Sequence, residues 1–288
     1  MILAPLRGVT IRCFRETFAD EIRAAGFTEA ITPFITANDG YDPLKDKEIR
    51  DQGSGIRDQG LWVTPQFIGK DPEALRICLE KVKVAGYDTA DLNCGCPFPM
   101  VRNKGRGSGI LRTPDVLRRM LEVGCGVMGA GKFSMKARLG VDRNDELLKL
   151  MPMINEFPLR FLTVHARTAR QMYEGSCDWK AVEAIENSAQ VSVVRNGDIA
   201  CIGASDHPTI RPVMVGRSFI RSLGEREDSD ELLNRYIVAS QAELCGDRPV
   251  LGRMKELIAY WKNLPRWRRR WDIIKLCRTV DELKSCLI

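Results

Sequence analysis

The sequence predicts an α/β chain: a TIM (β/α)8 barrel followed by a small C-terminal helical domain. Three observations carry this reading. Over roughly the first 220 residues, short apolar runs alternate with helical patterns, the mark of repeated βα units on a parallel sheet. The candidate strands number eight, which closes a barrel. After about Gly224 the rhythm stops, and apolar residues at helical spacing continue to the C-terminus. A chain of 288 residues, 44% hydrophobic, can bury a barrel and an appendage, and the boundary is set between a barrel over 1–228 and a helical domain over 229–288.

The candidate strands lie near 2–5, 29–32, 63–68, 88–93, 133–138, 160–165, 190–195 and 212–215. Asp71 and Pro72 start a helix with Leu75, Cys78, Leu79 and Val82 on one face and Gly86 as its stop; Thr113 and Pro114 start another with Val116, Leu117, Met120 and Leu121 inward. Between the seventh and eighth strands, "GDIACIGASDHPTIRP" is too short for a barrel helix, so a turn or stub is expected. "IRDQGSGIRDQG" repeats five residues in a Gly-rich surface excursion after the second strand.

Composition excludes several classes. No run of about 18 apolar residues occurs, and the N-terminus lacks the basic head and apolar stretch of a signal peptide, so a cytoplasmic, non-membrane protein is expected. Ten cysteines are scattered without paired spacing and only two histidines exist, so no metal is expected; Cys94-Gly-Cys96 is the nearest approach. The net charge of +6 is modest, but from Arg248 to Arg278 ten Lys and Arg residues interleave with Tyr260, Trp261, Trp267 and Trp271. The tryptophans suit a small helical core, and the grouped charge suits a nucleic-acid surface.

Chemistry in a TIM barrel sits at the carboxyl ends of the strands. The polar residues there are Gln66, then Asn93 with Cys96, Lys136 and Arg138, His165 and Arg167, Asn196 and Asp198, and Gly216 with Arg217. The last two sets suit a phosphate, because glycines expose N–H groups and an arginine supplies charge. Lys136 shares a face with Ser134 and Arg138, where a cation can stand beside a delocalised anion. "DLNCGCPFPMVRNKGRGSGILRTP" reads as a mobile catalytic loop.

Taken in order, "LAPLRGVT", "TPQFIGKDP", "DLNCGCP" with "GSGIL", "MKARLG", "TVHARTARQMYEGSCDW", "VVRNGDI" and "VMVGR" resemble the motifs of the tRNA-dihydrouridine synthases, with a lean toward the bacterial branch. The likeness runs from about Leu3 to Arg217, and "LGRMKELIAYWKNLP" is similar to the family's helical domain. The resemblance implies FMN as cofactor, NADPH as reductant and tRNA as substrate. Carried over by motif, it implies FMN contacts at Pro5, Leu6, Gln66, Lys136, His165, Asn196, Asp198, Gly216 and Arg217. Cys96 matches the family's catalytic residue, Asn93 is implied beside substrate or flavin, and Arg138 and Arg167 are implied to face uracil or RNA phosphates.

The C5=C6 bond of uracil is conjugated to the C4 carbonyl, so hydride from flavin N5 adds at C6 and C5 must then be protonated. A thiol with a reference pKa of about 8.5 stays protonated at neutral pH and can deliver that proton. A uridine within a tRNA elbow must be splayed into the pocket while the basic tail grips the backbone. The chain departs from the family at Phe98, Pro99 and Met100, at Pro33, at Arg7 and in its short seventh unit. Two other readings stay open: an FMN barrel acting on a free pyrimidine, and a non-catalytic tRNA-binding relative. A monomer is expected.

Overall fold

The computed structural model describes residues 1–49, 57–58, 60–201 and 212–287. Its strands are β1 (Ile2–Leu3), β2 (Glu29–Ile31), β3 (Ile35–Thr36), β4 (Arg57–Asp58), β5 (Leu61–Thr64), β6 (Gln66–Ile68), β7 (Ala90–Cys94), β8 (Phe133–Arg138), β9 (Leu162–His165), β10 (Val193–Asn196) and β11 (Val213–Val215). β5 and β6 are one barrel strand broken at Pro65, whose carbonyl accepts from the Asp91 N–H at 2.9 Å. Parallel pairing runs β1–β2–β5, resumes β6–β7–β8–β9–β10–β11, and returns from β11 to β1, so the eight expected strands close a ring. β3 pairs with β6 and β4 runs antiparallel to β5, outside that ring.

Around the ring lie α1 (Arg12–Thr17), α2 (Ala19–Ala24), α3 (Pro72–Val84), α4 (Pro99–Arg102), α5 (Pro114–Met128), α6 (Glu146–Ile154), α7 (Trp179–Ser188) and α8 (Arg217–Glu225). The tail is α9 (Ser229–Glu243), α10 (Asp247–Ile258), α11 (Pro265–Ile274) and α12 (Val280–Ser285). α3 begins as its sequence predicts: the Asp71 carboxylate accepts from the N–H groups of Glu73 (2.9 Å) and Ala74 (3.4 Å), and Leu75, Cys78, Leu79 and Val82 are buried. At α5 the start is right but the cap differs, because the Thr113 hydroxyl turns back to donate to the Ile110 carbonyl at 3.1 Å. The stretch after Cys96, which the sequence presents as a mobile catalytic loop, contains α4 and a 3-10 turn over Gly107–Arg112. Most of the duplicated segment, and the link at 202–211 where a stub is expected, lie outside the described residues.

A large apolar core lies between β6–β10 and α3, α5, α6 and α7. The second core joins Leu3, Phe14 and Phe219 of the barrel to Leu233, Met254, Trp261 and Trp267 of the tail. Position 228 lies in the turn between α8 and α9, and the helices that follow it pack into the barrel's own core. The amino end of the ring is closed by Arg160, which grips the Glu29 carboxylate with two donors at 2.6 and 3.0 Å. Among the described residues no helix is long and apolar enough to cross a membrane.

Candidate active site

The carboxyl ends of the strands open into a cavity of about 690 Å³, within the roughly 300–1,000 Å³ range of small-molecule sites. Pro5, Leu6, Asn93, Cys96, Lys136, Arg138, His165, Asn196, Gly216 and Arg217 all line it. A more open depression of about 950 Å³ lies between the loops after β8 and β9. Its charged groups neutralise one another, as in the pair of Arg170 with Asp142 at 2.6 Å, so the smaller cavity is the better candidate.

Three expected residues lie outside the lining. Gln66 is fully buried beneath it, accepting from Asn93 Nδ2 and donating to the Asp91 carboxylate, each at 2.7 Å. Arg167 points away under the 174–175 turn, where it donates to the carbonyls of Glu174 (3.1 Å) and Gly175 (2.6 Å) and pairs with Asp198. Asp198 also pairs with Arg217 at 2.6 Å, so its carboxylate anchors two arginines at the cavity's edge. In this arrangement Arg167 organises a loop and does not face the cavity.

Cys96 follows β7 and is 7% exposed. Its N–H donates to Asn93 Oδ1 at 2.9 Å, and its carbonyl accepts from the Ser108 N–H and hydroxyl at 3.1 and 2.9 Å. Gly107 sits at φ +56 against it, and a Cβ there would come within 2.7 Å of the Cys96 Cβ, so this position requires glycine. Burial pushes the Cys96 thiol up, with the Phe98 N–H and the charges of Arg138, Arg7 and Lys136 opposing. The sulfur is thus a protonated thiol at neutral pH.

Lys136 projects from β8 and donates to Asn196 Oδ1 at 3.0 Å, while Asn196 Nδ2 donates to the Met214 carbonyl at 2.8 Å. Burial first, then Arg138, pushes Lys136 down to about 8, with Asp91 opposing. His165 is pushed far below the imidazole range by burial and then by Arg138, Lys136, Arg167 and Arg217, so its ring is neutral. Its buried Nδ1 has no hydrogen-bond partner. An orphaned nitrogen in a cavity ringed by cations suits a bound group that is both anionic and rich in acceptors and donors.

Several lining residues lie outside the strand ends. Tyr173 lies between the guanidinium groups of Arg138 and Arg217, 5.2 and 4.9 Å from its ring centre. It follows Met172, at φ +53, whose carbonyl accepts from Arg138 at 2.6 Å. Its loop carries no periodic pattern to announce it. Glu256 and Tyr260 reach the cavity from the tail, and Arg7, noted only as a departure, stacks on Phe34 at 5.5 Å. Asp91, buried behind the lining, does carry a sequence signal, since it lies two residues before Asn93 on β7 and so shares its face.

The sequence model of the dihydrouridine synthases matches residues 2–222. Among curated proteins, the tRNA-dihydrouridine synthase B of Vibrio vulnificus is 27% identical over 203 residues, covering 69% of this chain and 60% of that protein. The chain thus spans about 60% of the length of that relative. The tRNA-dihydrouridine synthase B of Serratia marcescens is 23% identical over 275 residues, 91% of this chain and 78% of its own. In three dimensions the old yellow enzyme homologue of Zymomonas mobilis aligns with a TM-score of 0.56 at 12% identity, over 77% of this chain and 85% of that one, a likeness of fold.

Proposed function

The chain belongs to the dihydrouridine synthase family, and on that premise we propose that it reduces the C5=C6 bond of uridine in tRNA, with FMN as cofactor and NADPH as reductant. The observation that carries this is the convergence of Cys96, Lys136, Arg138 and His165 on one cavity. The residues present fit a flavin mononucleotide. The main chain at Pro5 and Leu6, together with Lys136, His165 and Asn196, would hold the ring system. Gly216, Arg217 and the uncapped first turn of α8 would hold the phosphate. Gln66 and Asp198 support this set from behind.

When bound, the flavin supplies the hydride that adds at uracil C6. Everything else falls to the chain. Cys96 gives its Sγ proton to C5 as charge develops toward the C4 carbonyl, so each product molecule leaves a thiolate to be reprotonated from solvent. Arg138 and Tyr173, at the wall beside Cys96, orient the pyrimidine, and Asn93 holds the Cys96 peptide. Lys136 contributes fixed positive charge beside the cofactor. The protein acts as a cytoplasmic monomer.

The helical domain over 229–288 serves as the RNA grip. Of the ten cations from 248 to 278, Arg253, Arg266, Arg270 and Lys275 pair with carboxylates of the tail and Lys255 donates to the Lys275 and Cys277 carbonyls, whereas a second group, the exposed Arg248, Lys262, Arg268, Arg269 and Arg278, has no ion pair among the described residues. The second group supplies phosphate contacts.

Two outcomes follow here. FMN affinity should weaken as pH rises through about 8, because Lys136 loses its charge there; Lys136→Met should bind more weakly throughout and show a flatter titration between pH 7 and 9. Absorbance titration of apoprotein checks both, and an unchanged pH profile in the variant would remove Lys136 from the role. Phe98 is 45% exposed and Met100 74% at the cavity mouth. Phe98→Ala should raise KM for tRNA by about fivefold or more, since base–aromatic stacking is worth ~1–3 kcal/mol, while NADPH oxidation by the bound flavin stays at the native rate.

A further inference from the structure

Asp91 is a fully buried carboxylate inside the barrel, two residues before Asn93, and no step above uses it. Its Oδ1 accepts from the Ser134 hydroxyl at 2.6 Å and its Oδ2 from Gln66 Nε2 at 2.7 Å. Gln66 Oε1 then accepts from Asn93 Nδ2 at 2.7 Å, and Asn93 Oδ1 accepts from the N–H groups of Gly95 (3.1 Å) and Cys96 (2.9 Å). We propose that Asp91 is the positioning residue for Cys96, acting through Gln66 and Asn93 to fix the peptide that carries the thiol. Only the consequence for turnover rests on the proposed role of Cys96.

A carboxylate can only accept, so Gln66 must turn its NH2 to Asp91 and its oxygen to Asn93. Asn93 must in turn offer its NH2 to Gln66, which leaves its oxygen for the backbone of 95 and 96. Without the anchor both amides are free to flip, and a flipped Asn93 would set its NH2 against the Cys96 N–H, donor against donor. Ser108 holds the Cys96 carbonyl from the other side, so the relay completes a clamp on both ends of that residue.

Burial pushes Asp91 up to about 6, so the group is ionised near neutrality. Below that, a proton on Oδ1 can point at Ser134, whose own hydrogen then turns to the Ala90 carbonyl at 3.4 Å. Oδ2 still accepts from Gln66, and the relay keeps its direction. An asparagine can do the same by turning its NH2 to Ser134. A mere counter-charge for Lys136 would behave otherwise, because asparagine carries no charge.

The test is the rate at which iodoacetamide alkylates Cys96 in the full chain without substrate, read by mass on the peptide that carries it. Asp91→Ala should free the peptide and raise the rate about tenfold, and Asp91→Asn should stay within about twofold of native. A native rate in folded Asp91→Ala, or an Asp91→Asn as fast as Asp91→Ala, would overturn the proposal. If Asp91→Ala does not fold, Gln66→Leu breaks the same relay and should show the same acceleration; a native rate there overturns it equally. Dihydrouridine formation scored separately on the native protein keeps the two readings apart, since alkylation needs no RNA and no reaction.

Discussion

Cys96→Ala is expected to lower dihydrouridine formation by about 10²–10⁴-fold, the usual worth of a positioned general acid, while FMN content and NADPH oxidation stay near native. The thiol is the group whose loss cannot be made good locally. Cys94, two residues earlier, points out of the ring into the core between strands and helices and is fully buried. Lys136 is engaged with Asn196, and His165, held neutral, is a far weaker proton donor than an imidazolium. Cys96→Ser should be nearly as impaired as alanine, because a hydroxyl of similar size is a much poorer acid. Cys94→Ala is the internal control: a modest loss of stability with turnover kept. Equal activity in Cys96→Ala and native protein, measured at saturating tRNA, would remove the thiol from the reaction.

Trp261→Ala is expected to destabilise the protein by about 3–5 kcal/mol, as for other large buried aromatic truncations. The indole is fully buried and its N–H donates to the Ile220 carbonyl at 2.7 Å. Gly224 of α8 lies flat against it, so close that a Cβ there would come within 2.4 Å of the ring. Trp267 packs against Trp261 with the rings tilted by 49° and their centres 4.7 Å apart, and donates to the Gly224 carbonyl at 3.0 Å. These contacts staple the tail to the last barrel helix. Because both belong to one core, urea unfolding followed by two probes should remain a single transition with a lower midpoint. Separate transitions for barrel and tail would show that the shared core does not couple them. A second consequence is functional: Glu256 and Tyr260 would lose their place at the cavity mouth, so KM for tRNA should rise more than kcat falls.

The barrel was readable from residues alone because its strands are buried on both faces and therefore appear as short apolar runs. All eight strands lie where such runs predict. The break at Pro65 and the side strand β3 were not readable, since both depend on which neighbour pairs with each half of the third strand. At the site, strand ends placed Lys136, His165 and Asn196 on the cavity wall by simple alternation. Arg167 escapes that logic: two residues beyond the end of β9, its side chain turns under the loop to satisfy two carbonyls and Asp198. Tyr173 and Glu256 were invisible for another reason. Tyr173 sits on the irregular loop after β9 and Glu256 on the distant tail, and only the folded loop and the docked tail bring them to the barrel mouth.

The basic tail shows how charge counts mislead when geometry is absent. Ten cations in sequence suit a nucleic-acid surface, yet Asp230 holds both Arg266 and Arg270, and Glu243 holds Arg253. Trp261 and Trp267 are core. The cations left without an ion pair among the described residues form a smaller, exposed set, and it is this set that we propose for RNA.

The central claim is tested most directly by incubating the purified protein with FMN, NADPH and unmodified tRNA, and measuring dihydrouridine in the digested RNA by mass spectrometry. Dihydrouridine is expected in the native reaction, dependent on NADPH and all but lost in Cys96→Ala. A native protein that binds FMN and oxidises NADPH but leaves every uridine in the tRNA unreduced would contradict it.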